Sequence, residues 1–353
     1  MKNEIFIKVN SIGKKDWNEF VYKNEFGNIF QTYEISEVYE KSKESEPLML
    51  AAINENTDEI LATMLIRKRK EKQGFLSSFS SHSTVRGGPI FVDNEWGIVA
   101  VEQLLRCYDK LIRKEALYTR IYPVYDMPQI KACLNENGYK RENWGNILID
   151  LTKSVNELWK QLKKYRRQGV NRARRRGVEI EEINDKRLIP VFYNLLLETH
   201  KHHKSSMHTT LEDLNYFKAV FDILVPKNMA KFFMAKHEGR YIAAILLLMY
   251  KEGIVHEWYA GSSRKREDLL LYPNDLLVWH TIEWSCNNGF HTYDFLGVGN
   301  PNMSSSLLEF KKQFGGQLVN YGRYIKIHSP KKLWLSKKVF KVYKRYKLWR
   351  GSI

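Results

Sequence analysis

Along the chain, apolar residues switch between the spacing of a helix face and the alternation of a strand. Trp17 to Phe20 and Phe30 to Tyr39 read as short helical stretches, with an extended link at Gln31-Thr32. Leu48 to Ile53 and Ile60 to Ile66 flank the polar turn Asn54-Glu55-Asn56-Thr57-Asp58, which predicts a hairpin. Gly74 to Phe79 and Pro89 to Val92 predict further strands, with Arg86-Gly87-Gly88 as the bend before the second. Val99, Val101, Leu104, Leu105, Tyr108 and Leu111 recur at helical spacing and predict a helix over Trp96–Lys114. Leu117 to Tyr122 returns to strand. A short helix then runs into Asn137-Gly138-Tyr139, and Ile147 to Leu151 is again a strand.

The second half opens on the most basic segment, predicted as one helix over Leu158–Arg176 with Gly177 as its cap. Val178 to Glu182 follows as a strand, then helices around Leu188–His200 and Leu211–Leu224 with a polar loop His202–Thr210 between them. A second hairpin pairs Ala230–Lys236 with Tyr241–Tyr250, and Ile254–Gly261 is the next strand. Pro273 suits the first turn of a helix through Trp284, after which Asn288-Gly289-Phe290 precedes a strand ending at Tyr293-Asp294. Each half thus carries a hairpin, a further strand, a helix, and Asn-Gly-aromatic leading into a strand. That repetition predicts two related α/β domains, residues 1–150 and 151–330, followed by a basic amphipathic helix over 331–353.

Length and composition agree with two sizeable cores: 353 residues, 43% hydrophobic and 13% aromatic. A formal charge of +17 points to an anionic partner, whether nucleic acid, a phosphorylated substrate or an acidic membrane. Cys107, Cys133 and Cys286 form no CxxC pair and have no nearby His at ligand spacing, which indicates neither zinc nor a disulfide framework. His202, His203, His208 and Glu212 lie in a polar context that does not favour a metal site. The N-terminus lacks the apolar core of a signal peptide, and the run Ile242–Tyr250 is too short to span a bilayer. These features predict a cytoplasmic protein.

Candidate chemistry gathers near Tyr293–Gly299, where a strand ends in glycines, and in the stretch after it. Ser304-Ser305-Ser306 offers N-caps to a helical turn with Leu307, Phe310 and Phe314 on one face. Lys311 lies beside that face, where its ammonium can be held in a cleft and stabilise the oxyanion formed when an amine attacks an ester or thioester. Asp294 sits at a strand end, where it can serve catalysis or cap the following loop. The basic segment, with Lys163, Arg166, Arg167, Arg172 and Arg174, can hold phosphate oxygens or present a solvated face. Tyr259, Tyr272 and Tyr293 read as packing residues with hydrogen-bonded hydroxyls. In the tail, Leu335, Val339, Val342, Tyr346 and Trp349 share one face opposite lysines and arginines, a pattern suited to anionic lipid or to docking on the protein.

With these residues in order, the chain resembles the FemABX-type aminoacyltransferases and the related acetyltransferase-like proteins built from tandem GNAT-like domains. The resemblance is carried by Phe30-Gln31-Thr32, Arg86-Gly87-Gly88-Pro89, the basic stretch ending Arg176-Gly177-Val178, Trp258-Tyr259-Ala260-Gly261-Ser262, Tyr272-Pro273, Tyr293-Asp294 and Phe310-Lys311. It spans nearly the whole chain, densely in the second half. It implies an α/β fold of two tandem domains with mixed sheets flanked by helices. It also implies amide-bond formation on an amine of a peptidoglycan-like precursor, with aminoacyl-tRNA as donor. No cofactor or metal is called for. Lys311 matches the family's oxyanion stabiliser, with Asp294 as a second catalytic candidate. Tyr259, Tyr272, Arg86, Lys163, Arg166, Arg167, Arg172 and Arg174 are the expected substrate contacts.

Departures from the family pattern bear on the substrates. Before Tyr216-Phe217 the loop Met207-His208-Thr209-Thr210 lacks the arginine that contacts nucleotide phosphates in relatives, and the early lysine falls near Tyr39–Lys41. The long coiled-coil arm is missing, as is the Gln/Arg-x-x-Gly-x-Gly/Ala loop that cradles coenzyme A. An acyl-CoA-dependent N-acyltransferase acting on an amino sugar or polysaccharide precursor is the alternative, and a non-catalytic RNA-binding protein is the alternative of another class. The expected partners are an anionic substrate, as aminoacyl-tRNA or a phosphorylated precursor, and an anionic membrane touched by residues 331–350 at its inner face.

Overall fold

The computed structural model describes residues 4–70, 81–202, 211–251, 253–336 and 338. The chain divides into two units, one holding residues up to 142 except 41–43 together with 323 onward, the other holding 41–43 and 143–322. In the first run β1 (Ile5–Val9), α1 (Lys14–Lys23), α2 (Tyr33–Lys41), β2 (Ser45–Asn54), β3 (Ile60–Lys70), β4 (Ser81–Arg86), β5 (Ile90–Phe91), α3 (Glu95–Ile112), β6 (Tyr118–Tyr122), α4 (Lys131–Glu136) and β7 (Lys140–Glu142). In the second come β8 (Asn146–Asp150), α5 (Val155–Gln161), α6 (Lys164–Arg175), β9 (Glu179–Glu182), α7 (Ile189–His202), α8 (Leu214–Leu224), β10 (Ala230–His237), β11 (Arg240–Tyr250), β12 (Ile254–Ser262), α9 (Arg266–Leu269), α10 (Pro273–Asn287), β13 (Thr292–Asp294), α11 (Ser306–Lys312) and β14 (Gln317–Val319). The chain then returns to the first unit with β15 (Arg323–Ile327).

Among the described residues the first unit has one mixed sheet in the order β1-β2-β3-β4-β6-β15-β7, with β5 beside β3. Only β4 and β6 run parallel, and a parallel neighbour needs a crossover, which α3 supplies. Ala100, Val101, Leu104, Leu105, Tyr108 and Ile112 recur on one face of α3 and are buried with Leu50, Ile66, Val85 and Ile121. Asn94 starts the helix by accepting from Gly97 N at 3.0 Å. Gln31 is fully buried and accounts for one family-like stretch. It donates to Leu65 O (3.2 Å) and Arg86 O (2.6 Å) and accepts from Leu65 N (2.7 Å). It thereby ties β3 to the end of β4, just where Gly87 and Gly88, at φ +75 and +70, turn the chain away. The Gln31-Thr32 link and the Arg86-Gly87-Gly88 bend are two sides of one contact.

Among the described residues the second unit repeats the plan in the order β14-β8-β13-β12-β11-β10-β9, with β12 and β13 as its one parallel pair and α10 in the crossover. Its interior strand β11 is buried from Ile242 to Tyr250, as suits a strand covered on both faces. Leu276, Leu277, Trp279 and Ile282 of α10 share its core with Val170 and Ala173 of α6. The tandem α/β architecture expected from the repetition is present.

Two expectations are corrected. The division at 150/151 and 330/331 is redrawn by hydrogen-bonding edges: β8 pairs with β13 and β14, whereas β15 pairs with β6 and β7. The basic stretch is two helices, because Leu162 and Lys163 are extended, at ψ 138 and 146. Leu158 and Leu162 go into the core, Lys163 N donates to Gln313 O (2.9 Å), and Arg167 donates to the carbonyls of Lys160 (2.9 Å) and Leu162 (2.5 Å). The strand predicted at Gly74–Phe79, most of the loop His202–Thr210 and most of the tail helix fall outside the described residues.

Candidate active site

Strands β12 and β13 are paired only from Ile254–His256 to Thr292–Asp294; β12 then continues to Ser262 while the other chain turns away. Asp294 holds that turn by accepting from Leu296 N at 2.7 Å, and Leu296 takes φ +54, a left-handed conformation unusual for its type. At Gly297 a Cβ would fall 2.4 Å from Trp144 Nε1, so the glycine serves close approach there. Ser305 then caps α11 through Leu308 N (3.1 Å), which sets Lys311 one turn further along.

Lys311 is 8% exposed. Its ammonium donates to Phe295 O at 2.6 Å, lies 3.4 Å from Glu257 Oε1 and sits 5.5 Å from the Phe295 ring centre. A buried ammonium needs such compensation. Glu257 Oε2 in turn accepts from the Tyr293 hydroxyl (3.0 Å), which lies 2.9 Å from Thr281 Oγ1. Burial pushes the Tyr293 phenol well above its ordinary value, and the Glu257 carboxylate adds to the shift. Tyr293 is therefore a neutral donor that orients Glu257. A lysine, a carboxylate, a phenol and a backbone carbonyl thus meet where the two strands part.

Asp294 belongs to the opposite face of β13, since neighbouring strand residues alternate. It is fully buried, and it accepts from Asn146 Nδ2 (3.0 Å) and lies 3.2 Å from His256 Nδ1. Its contact with Leu296 N shapes the turn that carries Phe295 O.

The basic residues divide. Arg166 points inward and bonds Asp275 and Gln313; Arg167 caps α5; Arg172 donates to the Tyr272 hydroxyl (3.1 Å). Lys163, Lys164, Arg174 and Arg175 are exposed, with Arg174 3.6 Å from Glu283. Tyr272, at φ +59, forms the entry to α10 ahead of Pro273. Tyr259 donates to the buried Glu212 at 3.2 Å. Arg86 lies in the first unit, stacked 4.8 Å from the Tyr122 ring centre.

Sequence reasoning missed Glu257, Thr281, Asp275 and Gln313. Glu257 was visible as a lone carboxylate inside the strand run Ile254–Gly261. Gly169 was a second signal, because a glycine inside a helix costs about 1 kcal/mol relative to alanine and calls for a packing reason. A Cβ there would fall 1.9 Å from Asp275 Oδ2.

Residues 160–312, which include α6, β12, β13 and Lys311, match the family described as an acetyltransferase (GNAT) domain. Curated protein sequences give no match. Among solved structures, FemX is similar at 17% identity and TM-score 0.65, covering 95% of this chain and 99% of its own. A tandem GNAT protein from the clavulanic acid biosynthesis pathway follows the same fold at 10% identity and TM-score 0.58, over 93% and 99% of the two chains. L-PGS from Bacillus licheniformis does so at 14% identity and TM-score 0.53, over 92% and 96%. Residues 160–312 thus carry a GNAT acetyltransferase domain, and the chain as a whole has the FemX-like tandem fold.

Proposed function

We propose that this acyltransferase moves an aminoacyl group from aminoacyl-tRNA to an amine of a cell-envelope precursor, forming an amide. The observation that supports this most is the Lys311 ammonium, compensated by Phe295 O and Glu257 at the parting of β12 and β13. The substrate amine attacks the ester carbonyl, and the carbonyl oxygen becomes an oxyanion. Lys311 has three N–H donors; one is given to Phe295 O, the charge is balanced by Glu257 at 3.4 Å, and a remaining donor is assigned to that oxyanion. Collapse breaks the carbon–oxygen ester bond, and the proton lost by the amine is taken by the leaving oxygen. The nucleophile belongs to the substrate, so no protein Ser or Cys is required. Asp294 acts on this site through the turn it shapes.

A second reading, an acyl-CoA thioester as donor, draws support from the GNAT acetyltransferase match over residues 160–312. A donor screen on the purified chain decides: charged tRNA is expected to support amide formation where acyl-CoA does not. Turnover with acyl-CoA alone would transfer the assignment to the second reading.

For the donor, the exposed row Lys163, Lys164, Arg174 and Arg175 is the proposed phosphate-binding surface, with Tyr259, Tyr272 and Arg86 retained as proposed substrate contacts. Replacing the four cations with glutamine is expected to weaken tRNA binding and flatten its log–log salt dependence by about one unit for each phosphate no longer neutralised. Wild-type affinity indifferent to salt would make the row a solvated surface.

No helix among the described residues is long and apolar enough to cross a membrane. We propose contact with anionic lipid through the segment from residue 331. Trp334 is 58% exposed and Leu335 42% exposed, and tryptophan favours the headgroup boundary. The full chain is expected to pellet with anionic vesicles but not neutral ones, and a chain cut after Ser329 with neither. Equal pelleting of both chains would remove the tail from membrane binding.

A further inference from the structure

We infer that Arg166, although part of the most basic stretch of the chain, is a positioning residue for Lys311 and not a contact to the anionic substrate. The inference rests on Lys311 acting in transfer as proposed above. α11 has only seven residues, too few to hold a helix by themselves, so its packing decides where Lys311 points. Arg166 grips it on both sides of the lysine. Its guanidinium lies 4.3 Å from the Phe310 ring centre and 5.8 Å from that of Phe314, and its Nε donates to Gln313 Oε1 at 2.9 Å. Gln313 is the C-cap of α11, whose carbonyl end favours a cation, and Lys163 N bonds the Gln313 carbonyl from the same side.

The guanidinium is fixed in turn by Asp275, whose Oδ1 accepts from Arg166 at 2.5 Å. Asp275 is 3% exposed, its Oδ2 has no hydrogen-bond partner among the described residues, and only a glycine at 169 leaves it room. Burial pushes its carboxyl up to about 6 in spite of the arginine. A buried pair of this kind adds little net stability, because desolvation offsets the attraction. What it supplies is a fixed place for the guanidinium, whose planar fork lysine does not reproduce.

The test is Arg166→Lys, which keeps a charge for Asp275 and so protects folding, placed in the wild-type and the Lys311→Ala backgrounds. At saturating donor, R166K is expected to lower kcat by about 10–100-fold, the range for a misplaced catalytic group. The donor KM and its salt slope are expected to stay unchanged. In the Lys311→Ala background R166K is expected to add nothing, as for two residues acting as one unit. A raised KM with a flattened salt slope would make Arg166 a substrate contact and overturn the inference. So would an unchanged kcat, or a loss that adds in full to that of Lys311→Ala. Full turnover by Lys311→Ala alone is a different result, which removes the role given to Lys311 itself.

Discussion

Lys311→Ala is expected to lower acyl transfer by about 10²–10³-fold, or roughly 2.7–4 kcal/mol of transition-state stabilisation. The ammonium is held before substrate arrives, so little reorganisation is needed when charge develops on the carbonyl oxygen. The loss should appear in kcat more than in KM, because the contact strengthens only as the oxyanion forms. The single variant leaves Glu257 buried without its cation, which costs stability in its own right. Lys311→Ala combined with Glu257→Gln removes both charges and is the control: transfer stays low while the denaturation midpoint recovers. Near-normal turnover in either variant would exclude Lys311 from the chemistry.

Asp294→Ala is expected to destabilise the chain by about 3–5 kcal/mol, read as a lowered denaturant midpoint. The substitution strips the acceptor from Asn146 Nδ2 and Leu296 N and the neighbour from His256, all in a fully buried place. Asp294→Asn keeps an oxygen for the Leu296 amide and should restore part of the midpoint. If Asn restores both midpoint and turnover, the carboxylate serves the turn. A variant with the wild-type midpoint and abolished turnover would instead place Asp294 in the chemistry.

What could be read from the residues alone was whatever depends on local pattern. The two hairpins, the long helix at α3 and the Asn-Gly stops were legible, and Gly138 and Gly289 do take φ +78 after helix ends. β14 and β15 were not. The three residues Gln317–Val319 are too short for a period, and the pairing of β15 with β6 joins positions about two hundred residues apart that no local spacing connects. Lys311, which is buried, was singled out by the apolar helix face beside it together with the family resemblance at Phe310-Lys311. Its partner Glu257 was not, since a strand shows alternation but not which distant side chain faces it. The basic stretch misled for a related reason. Charge is visible in composition, whereas the inward turn of Arg166 depends on Asp275, 109 residues later.

The return strand β15 also governs how a newly made chain can mature. Synthesis delivers residues 143–322 before 323–327, and that stretch holds every strand of its own sheet. The later-completed unit is therefore the one whose first strands are made earliest. Until Arg323–Ile327 emerges, β6 has β4 on one side and an open row of backbone donors and acceptors on the other, while β7 has no partner. Open edges of that kind invite pairing with a second chain. Closing them requires pairings of very high sequence separation, which form slowly. A nascent chain free to fold up to Gly322 but not yet through Ile327 would thus hold a completed second unit while the sheet of the first still lacks a strand, a window in which a chaperone covering β6 and β7 has most to offer.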